Sequence, residues 1–187
     1  NQVFWKSPNL DKKLGGFSHG TSGIISSLIK SYKLTNNPKT IEIIKGALQF
    51  EKDLFSKAQE NWIDKRHDEE TFQYSWCNGS VGVGLSRLIL LDNMTNLNSD
   101  LKDELKQDVK YALNSALTSG FGDNHSICHG DFGTLEFIYS STQHGYLAKE
   151  QFSNLLEAVL FKLKKGEFNF GNSKENYFDI SLMTGLS

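Results

Sequence analysis

Apolar residues recur along this 187-residue chain at intervals of three and four positions, the spacing of one face of an α-helix. Segments in which apolar and polar residues alternate, as in a half-buried strand, are scarce. Pro38 stands where a proline suits the first turn of a helix, and Ser99, with Glu104 soon after, indicates the start of another. The pattern therefore predicts a mainly helical protein. The apolar sets that carry this prediction lie at residues 24–32, 41–55, 83–89, 101–117, 135–138 and 152–163.

Short glycine motifs separate the predicted helices at regular intervals. Three of them contain Gly-x-x-Gly after a polar residue and begin at Gly20, Gly79 and Gly130, and a truncated fourth begins at Gly185. The intervals of 59, 51 and 55 residues indicate a structural repeat. Each repeat is predicted to hold a glycine motif, a short helix, a loop and a longer amphipathic helix.

This repeat favours an all-α fold, an α/α toroid built from helical hairpins, with short inner helices backed by longer outer ones. A stacked solenoid of helix pairs is the structural alternative. Because glycine has no Cβ, the Gly-x-x-Gly face is expected to let a helix N-terminus approach its neighbour closely.

Composition excludes several classes of protein. Twenty Lys and Arg against 22 Asp and Glu give a net charge of −2, so no overall basic charge indicates nucleic acid or an anionic membrane as a partner. The longest wholly apolar runs fall far short of the roughly 20 residues that span a bilayer. No signal-peptide pattern is visible, and a cytoplasmic location is expected. Because the chain lacks an initiator Met, residues 1–187 are expected to be a fragment, truncated at both ends.

Both cysteines fall on glycine motifs, in Trp76-Cys77-Asn78-Gly79 and in Cys128-His129-Gly130. Since helical repeats place equivalent positions at the same end of a barrel, the two thiols are expected to lie close together. Two sulfurs and one imidazole suit a catalytic zinc, which typically has three protein ligands and an open fourth position. A disulfide, or two small buried apolar side chains, are the alternatives.

His19 occupies the equivalent position in the first motif. On the same rim as a metal site it is a candidate proton donor or acceptor, whereas a structural role is the alternative. The other histidines, His67, His125 and His144, lie in polar or loop contexts and are expected to be structural.

Residues 61–66 are predicted to form a loop-like insertion ahead of the first cysteine motif. Asp64 and Arg66, both within it, could orient a substrate or pair with each other, and the ion pair is the favoured interpretation.

At these motifs the chain resembles the lanthionine synthetase C-like (LanC-like) family of cyclases. Three segments carry the resemblance: GFSHGTSGI at residues 16–24, WCNG at 76–79 continuing to GVGL at 82–85, and CHG at 128–130 continuing to Gly133 and Glu136. The wider context, at residues 50–51, 61–66 and 84–88, looks like the cyclase domain of bifunctional class II (LanM-type) lanthipeptide synthetases. The resemblance covers essentially the whole chain.

The resemblance implies that residues 1–187 form one LanC-like cyclase domain, a partial α/α toroid with about four of seven repeats. It implies Zn²⁺ held by Cys77, Cys128 and His129, with His19 as the catalytic acid or base. The implied enzyme is a zinc-dependent lanthionine synthetase. It adds cysteine thiols to dehydroalanine or dehydrobutyrine and so forms the (methyl)lanthionine thioether rings of lantibiotics.

The partners that the resemblance implies are a dehydrated leader–core precursor peptide, an N-terminal dehydratase domain in the parent protein, and membrane-associated export machinery. Nucleic acid is not among the expected partners.

Two positions depart from the family pattern, and other functions remain open. Stand-alone cyclases often carry Arg four residues before the first Cys and Tyr just after it, where this chain has Gln73 and Asn78. A non-catalytic helical repeat protein that contains zinc, or a relative that binds glutathione or another thiol, is the alternative function. A glycosidase using Asp64 and Glu136 as paired carboxylates would leave the Cys-Cys-His set idle.

Overall fold

The computed structural model describes residues 1–7, 10–94, 98–122 and 124–167, together with residues 169 and 183. Most of these residues lie in helices, as the apolar spacing predicts. The fourth glycine motif, at Gly185, lies outside the described residues. The helices are α1 (Thr21–Thr35), α2 (Pro38–Asp53), α3 (Ser80–Asn93), α4 (Ser99–Ser119), α5 (Asp131–Gln143) and α6 (Lys149–Lys164).

Each of the three described glycine motifs leads into one inner helix, which is followed by one outer helix. The inner helix α3 packs against α1, α4 and α5, while the outer helices α2 and α6 pack against α1 and α5 respectively. Almost the whole of α3 is buried, whereas the outer helices bury one face. None of the described helices is long and apolar enough to cross a membrane.

The core has two apolar clusters that share this inner layer. The first joins α3, α4 and α5 and includes Val83, Leu113 and Phe137. The second joins α1, α2 and the far end of α3, where Ile25, Ile29, Ile44 and Leu90 are fully buried. Burial of side chains from consecutive repeats in common clusters makes the repeats one packed body rather than separate hairpins.

The three described glycine motifs have the same backbone geometry. Their first glycines, which cap α1, α3 and α5, have φ between −133° and −126° and ψ between −172° and −167°. A Cβ on the second glycine would lie 2.0–2.1 Å from a carbonyl oxygen of the preceding loop. The closest contact of each second glycine is therefore with the loop that precedes its own helix, rather than with a neighbouring helix. The three pairs are Gly23 with Phe17, Gly82 with Trp76, and Gly133 with Ile127.

A small antiparallel sheet lies where the sequence predicts the end of a helix and a loop. The helix predicted over residues 41–55 ends at Asp53, and Phe55 pairs instead with Trp62, their rings 4.9 Å apart. The segment 61–66, predicted as a loop, contains the central strand. Strands of two to four residues are too short to show an alternating pattern. They are β1 (Phe55–Ser56), β2 (Asn61–Asp64) and β3 (Thr71–Phe72), in the order β1-β2-β3.

Candidate metal centre and active site

Backbone hydrogen bonds join successive glycine motifs at equivalent positions. The amide of Ser18 donates to the carbonyl of Cys77 at 2.9 Å, the amide of Cys77 donates to Cys128 at 2.9 Å, and the amide of Cys128 donates to Met183 at 2.8 Å. Each of these four residues lies two positions before the first glycine of its motif. The bonds place both cysteines side by side, just ahead of α3 and α5.

This arrangement gathers the side chains of Cys77, Cys128 and His129, which we call the thiol–imidazole cluster. One ligand atom from each lies within 4.8 Å of the others. Cys77 is buried and the other two are half-buried, and both cysteines are free thiols rather than a disulfide. The structure therefore brings together the three side chains that the sequence nominated, while their role as metal ligands stays a prediction.

Hydrogen bonding within the cluster favours one thiolate. A hydrogen bond from Cys128 outweighs the opposing effect of burial and, with further bonds from His129 and Ser75, lowers the pKa of Cys77 to about 4. The Ser75 hydroxyl lies 3.4 Å from Cys77 Sγ. The pKa of Cys128 is raised because its thiol bonds to Cys77 and is partly buried. The thiolate of Cys77 is the form that binds soft metals.

The thiol–imidazole cluster opens onto a cavity of about 390 Å³. His19, an exposed residue equivalent to His129 in the first motif, lines the same cavity. Gln73 and Asn78, the two positions that depart from the family pattern, also lie on its wall. A candidate proton-transfer group and a candidate metal site therefore share one cavity.

The favoured interpretation of Asp64 and Arg66 as an ion pair is confirmed. Arg66 Nη2 lies 2.6 Å and Nε 2.8 Å from Asp64 Oδ2. Sequence reasoning missed that Arg66 also lines the cavity of the thiol–imidazole cluster. The hydrogen bond to Asp64 raises the pKa of Arg66, and the two cysteines contribute further. Arg66 lies between strand β2 and the Cys77 motif. A basic residue in that place is the one signal in the sequence that could have indicated a position beside the cavity.

The surroundings of the other candidate residues do not indicate a catalytic role. His125 is buried, with Nδ1 2.9 Å from Asp131 Oδ2 and Nε2 2.8 Å from the Glu167 carbonyl, in keeping with its expected structural role. Glu136 is exposed and does not line the cavity, and Asp64 is engaged by Arg66. The structure therefore gives no support to a glycosidase built on Asp64 and Glu136.

The fold and the site together define a helical repeat protein with a thiol–imidazole cluster at the N-terminal ends of its inner helices. The chain belongs to the family described as "Lanthionine synthetase C-like protein", whose model matches residues 1–187. It is 27% identical over 191 residues to the lacticin 481/lactococcin biosynthesis protein LcnDR2 of Lactococcus lactis subsp. lactis. That alignment covers 95% of this chain and 20% of the relative, so the chain spans about a fifth of its length.

The structure of nisin cyclase has the same fold. The two chains superpose with a TM-score of 0.64 at 21% sequence identity, and the match covers 91% of this chain and 43% of the other. This likeness confirms the predicted fold class, a helical toroid of the LanC-like type, and not the alternative of a stacked solenoid of helix pairs.

Proposed function

We propose that this chain is the cyclase domain of a lanthipeptide synthetase and closes thioether rings in a dehydrated precursor peptide. In this reaction a cysteine thiol of the peptide adds to a dehydroalanine or dehydrobutyrine residue. The observation that carries the proposal is the shared cavity: Cys77, Cys128 and His129 open onto it, and His19 lines its wall. Membership of the LanC-like family supports the same reaction.

The donor set of the thiol–imidazole cluster fits zinc. Two sulfurs and one imidazole nitrogen form a Cys2His ligand set, and Cys77 already favours the thiolate form that a metal requires. Within the described part of the chain, no fourth Cys, His, Asp or Glu side chain joins the cluster. Three protein ligands beside a cavity favour an exchangeable position over a closed structural site. When bound there, zinc would lower the pKa of a substrate thiol and so favour the nucleophilic thiolate at neutral pH.

His19 is the candidate for proton transfer. Addition of sulfur to the β-carbon leaves an enolate, whose α-carbon must gain a proton before the ring is complete. Histidine titrates near neutral pH, and His19 lies on a different repeat from the thiol–imidazole cluster while lining the same cavity. In our proposal it donates this proton.

The proposed partners follow from the same reaction. A leader–core precursor peptide would be the substrate, and an N-terminal dehydratase domain of the parent protein would supply the dehydro residues. A relative named for lacticin 481 biosynthesis, of which the chain spans 20%, supports this placement in a longer protein. The reaction is proposed to take place in the cytoplasm, before membrane-associated machinery exports the product.

Zinc analysis combined with ring closure tests the proposal. Purified full-length protein should contain one zinc ion per cluster and convert a dehydrated peptide to a product whose thiols resist alkylation. Cys77→Ala and Cys128→Ala should lose both zinc and ring closure. Ser115→Ala, a truncation of the same size at a buried side chain of α4, should keep both.

Three outcomes would contradict the proposal in different ways. Full zinc content in both cysteine variants would remove the thiol–imidazole cluster as the metal site. Bound zinc that no thiol ligand can reach would indicate a structural metal. Glutathione bound at the zinc, without ring closure of any dehydrated peptide, would favour a thiol-binding protein.

A further inference from the structure

The proposed addition places negative charge on an oxygen atom that neither the thiol–imidazole cluster nor His19 accounts for. As sulfur attacks the β-carbon, electrons move onto the carbonyl oxygen of the dehydro residue. We propose that Arg66 binds this oxygen and stabilises the enolate, an inference that rests on the proposed cyclase function. Arg66 is then a catalytic residue, and Asp64 is the positioning residue that orients it.

The guanidinium of Arg66 is held in one orientation. Its Nε and Nη2 both donate to Asp64 Oδ2, at 2.8 and 2.6 Å, and its backbone amide donates to Asp64 Oδ1 at 3.0 Å. Asp64 ends strand β2, and its side chain is only 3% exposed. A planar guanidinium whose one edge is hydrogen-bonded to a buried carboxylate has little freedom to rotate.

The third nitrogen of the guanidinium, Nη1, lies beside Asn78, another residue of the cavity wall. When the Asn78 amide is assigned the orientation that satisfies both of its neighbours, its oxygen accepts from Arg66 Nη1 at 3.0 Å and its nitrogen donates to the Cys77 carbonyl at 3.3 Å. Asn78 directly follows Cys77, so this contact fixes the distance between the guanidinium and the thiol–imidazole cluster. The side chain of Arg66 is 31% exposed, which leaves donor hydrogens accessible to a bound peptide.

Arg66 also stands at the junction of two cavities. With Gln73 it lines both the cavity of the thiol–imidazole cluster and an adjoining open cleft of about 520 Å³, whose wall includes Lys12 and Asp68. A peptide that extends from the cleft into the cavity must pass the guanidinium. Backbone carbonyls of that peptide are then the acceptors nearest to Arg66.

The step balances without an added oxidant or reductant. The peptide thiol gives up its proton to solvent, and its sulfur forms a bond to the β-carbon while the carbon–carbon π bond breaks. The displaced electron pair makes the enolate, whose oxygen accepts hydrogen bonds from Arg66. A proton from His19 then reaches the α-carbon and restores the carbonyl, and His19 regains a proton from solvent, so that the net change is addition of S–H across a double bond.

Arg66→Gln tests the inference in the full-length enzyme with its zinc. Removing one donor to a developing oxyanion typically slows catalysis about 10²–10³-fold. We expect a loss of that size in kcat, with little change in KM and no change in zinc content. Arg66→Lys should recover only part of the rate, because an ammonium cannot pair with Asp64 and reach the oxyanion with the same geometry.

Lys65→Gln is the matched control, because it removes the same charge from the exposed neighbouring residue. It should keep the wild-type rate within about twofold, the scatter expected for an exposed charge. A second variant, Arg66→Gly, should regain part of its rate when millimolar guanidinium is added. A merely structural arginine would show no such rescue.

The outcomes separate this inference from the proposed function. If the wild-type protein closes no ring in any dehydrated peptide, the cyclase function fails and the Arg66 role fails with it. If the wild type and Lys65→Gln close rings and Arg66→Gln closes them equally fast, the Arg66 role alone is wrong. Loss of zinc in Arg66→Gln and Arg66→Lys would also overturn it, since Arg66 would then serve the thiol–imidazole cluster rather than the enolate.

Discussion

Two polar clusters lie along the inner helix layer in opposite surroundings. The thiol–imidazole cluster stands just ahead of α3 and α5 and faces a cavity. The second, which we call the buried ion-pair network, is formed by Arg87 of α3 with Glu51 of α2 and Asp108 of α4. Arg87 is 1% exposed, with Nη1 2.6 Å from Glu51 Oε2 and Nε 2.8 Å from Asp108 Oδ2. Ser22 of α1 also hydrogen-bonds to Glu51, at 2.5 Å.

The difference lies in how each cluster satisfies its charges. In the buried ion-pair network one guanidinium pairs with two carboxylates, and burial still raises the pKa of Glu51 against the opposing effects of Arg87 and Ser22. In the thiol–imidazole cluster, hydrogen bonds instead lower the pKa of Cys77 and so maintain a charge beside a cavity. Charges in the middle of the helices are therefore paired between helices, including helices of different repeats, whereas those at the helix N-termini lie beside a cavity.

The largest effect that would sharpen this comparison is expected at the cavity. His19→Ala should slow ring closure about 10²–10⁴-fold, which equals up to about 5 kcal/mol of activation free energy, because a proton donor is lost. Zinc content and the unfolding midpoint should stay unchanged. His144→Ala, the same substitution at a histidine outside the cavity, is the control for ring-closure rate. Loss of zinc in His19→Ala would make His19 a ligand, and a wild-type rate would make it structural.

The next effect is expected in the buried ion-pair network. Arg87→Met should lower the free energy of unfolding by about 3–5 kcal/mol, because it leaves Glu51 buried without its base. Urea unfolding at neutral pH measures this loss. Lys52→Met, which breaks the exposed pair of Lys52 with Glu104, should cost less than about 1 kcal/mol. Equal losses in the two variants would show that the network contributes no more than a surface pair.

A smaller effect on stability is expected at the glycine motif that begins α3, the helix that follows Cys77 and carries Arg87. Gly82→Ala would place a Cβ 2.1 Å from the carbonyl oxygen of Trp76, and it should cost about 1–3 kcal/mol because the loop before α3 must move. Ser80→Ala, in the same motif, is the control. Among the described residues the buried Ser80 hydroxyl has no hydrogen-bond partner, so its removal should cost nothing measurable in urea unfolding. A Gly82→Ala variant as stable as Ser80→Ala would contradict the close approach.

The parts of the molecule that could be predicted from sequence are those encoded locally or by repetition. Apolar spacing predicts the helices because burial of one helical face depends on neighbouring residues of the same segment. The motif spacing predicts that Cys77 and Cys128 lie together, since equivalent positions of successive repeats are joined by equivalent hydrogen bonds. His19 shares their cavity for the same reason.

The parts that could not be predicted depend on residues brought together by the fold. Arg87 of α3 meets Glu51 of α2 across 36 positions, and neither residue has a local signal that names the other. Arg66 reaches the cavity because the short β2–β3 pairing turns the chain there. The Asp64–Arg66 ion pair was predictable, because the residues are two positions apart, but its place beside the thiol–imidazole cluster was not.

The smallest predicted effect is a pH-dependent contribution to the free energy of unfolding, at the C-terminal end of the inner helix α5. His144 caps α5, with Nδ1 2.8 Å from the Ser140 carbonyl and Nε2 2.7 Å from Asp92 of α3. Burial acts to lower the pKa of His144, but these two hydrogen bonds outweigh it and raise the pKa above 6.5. Because the folded-state pKa is raised, the stabilisation is fully present below the unfolded-state value of about 6.5 and is lost as pH rises through the folded-state value. Asp92 is 56% exposed, so solvent screening limits the effect to about 0.2–1 kcal/mol.

Urea unfolding of the wild type and of His144→Gln should therefore differ more at pH 6 than at pH 8.5, and Asp92→Asn should reduce that difference. A stability difference between wild type and His144→Gln that is equal at both pH values would show that this pair, unlike the buried ion-pair network, does not help to join the repeats.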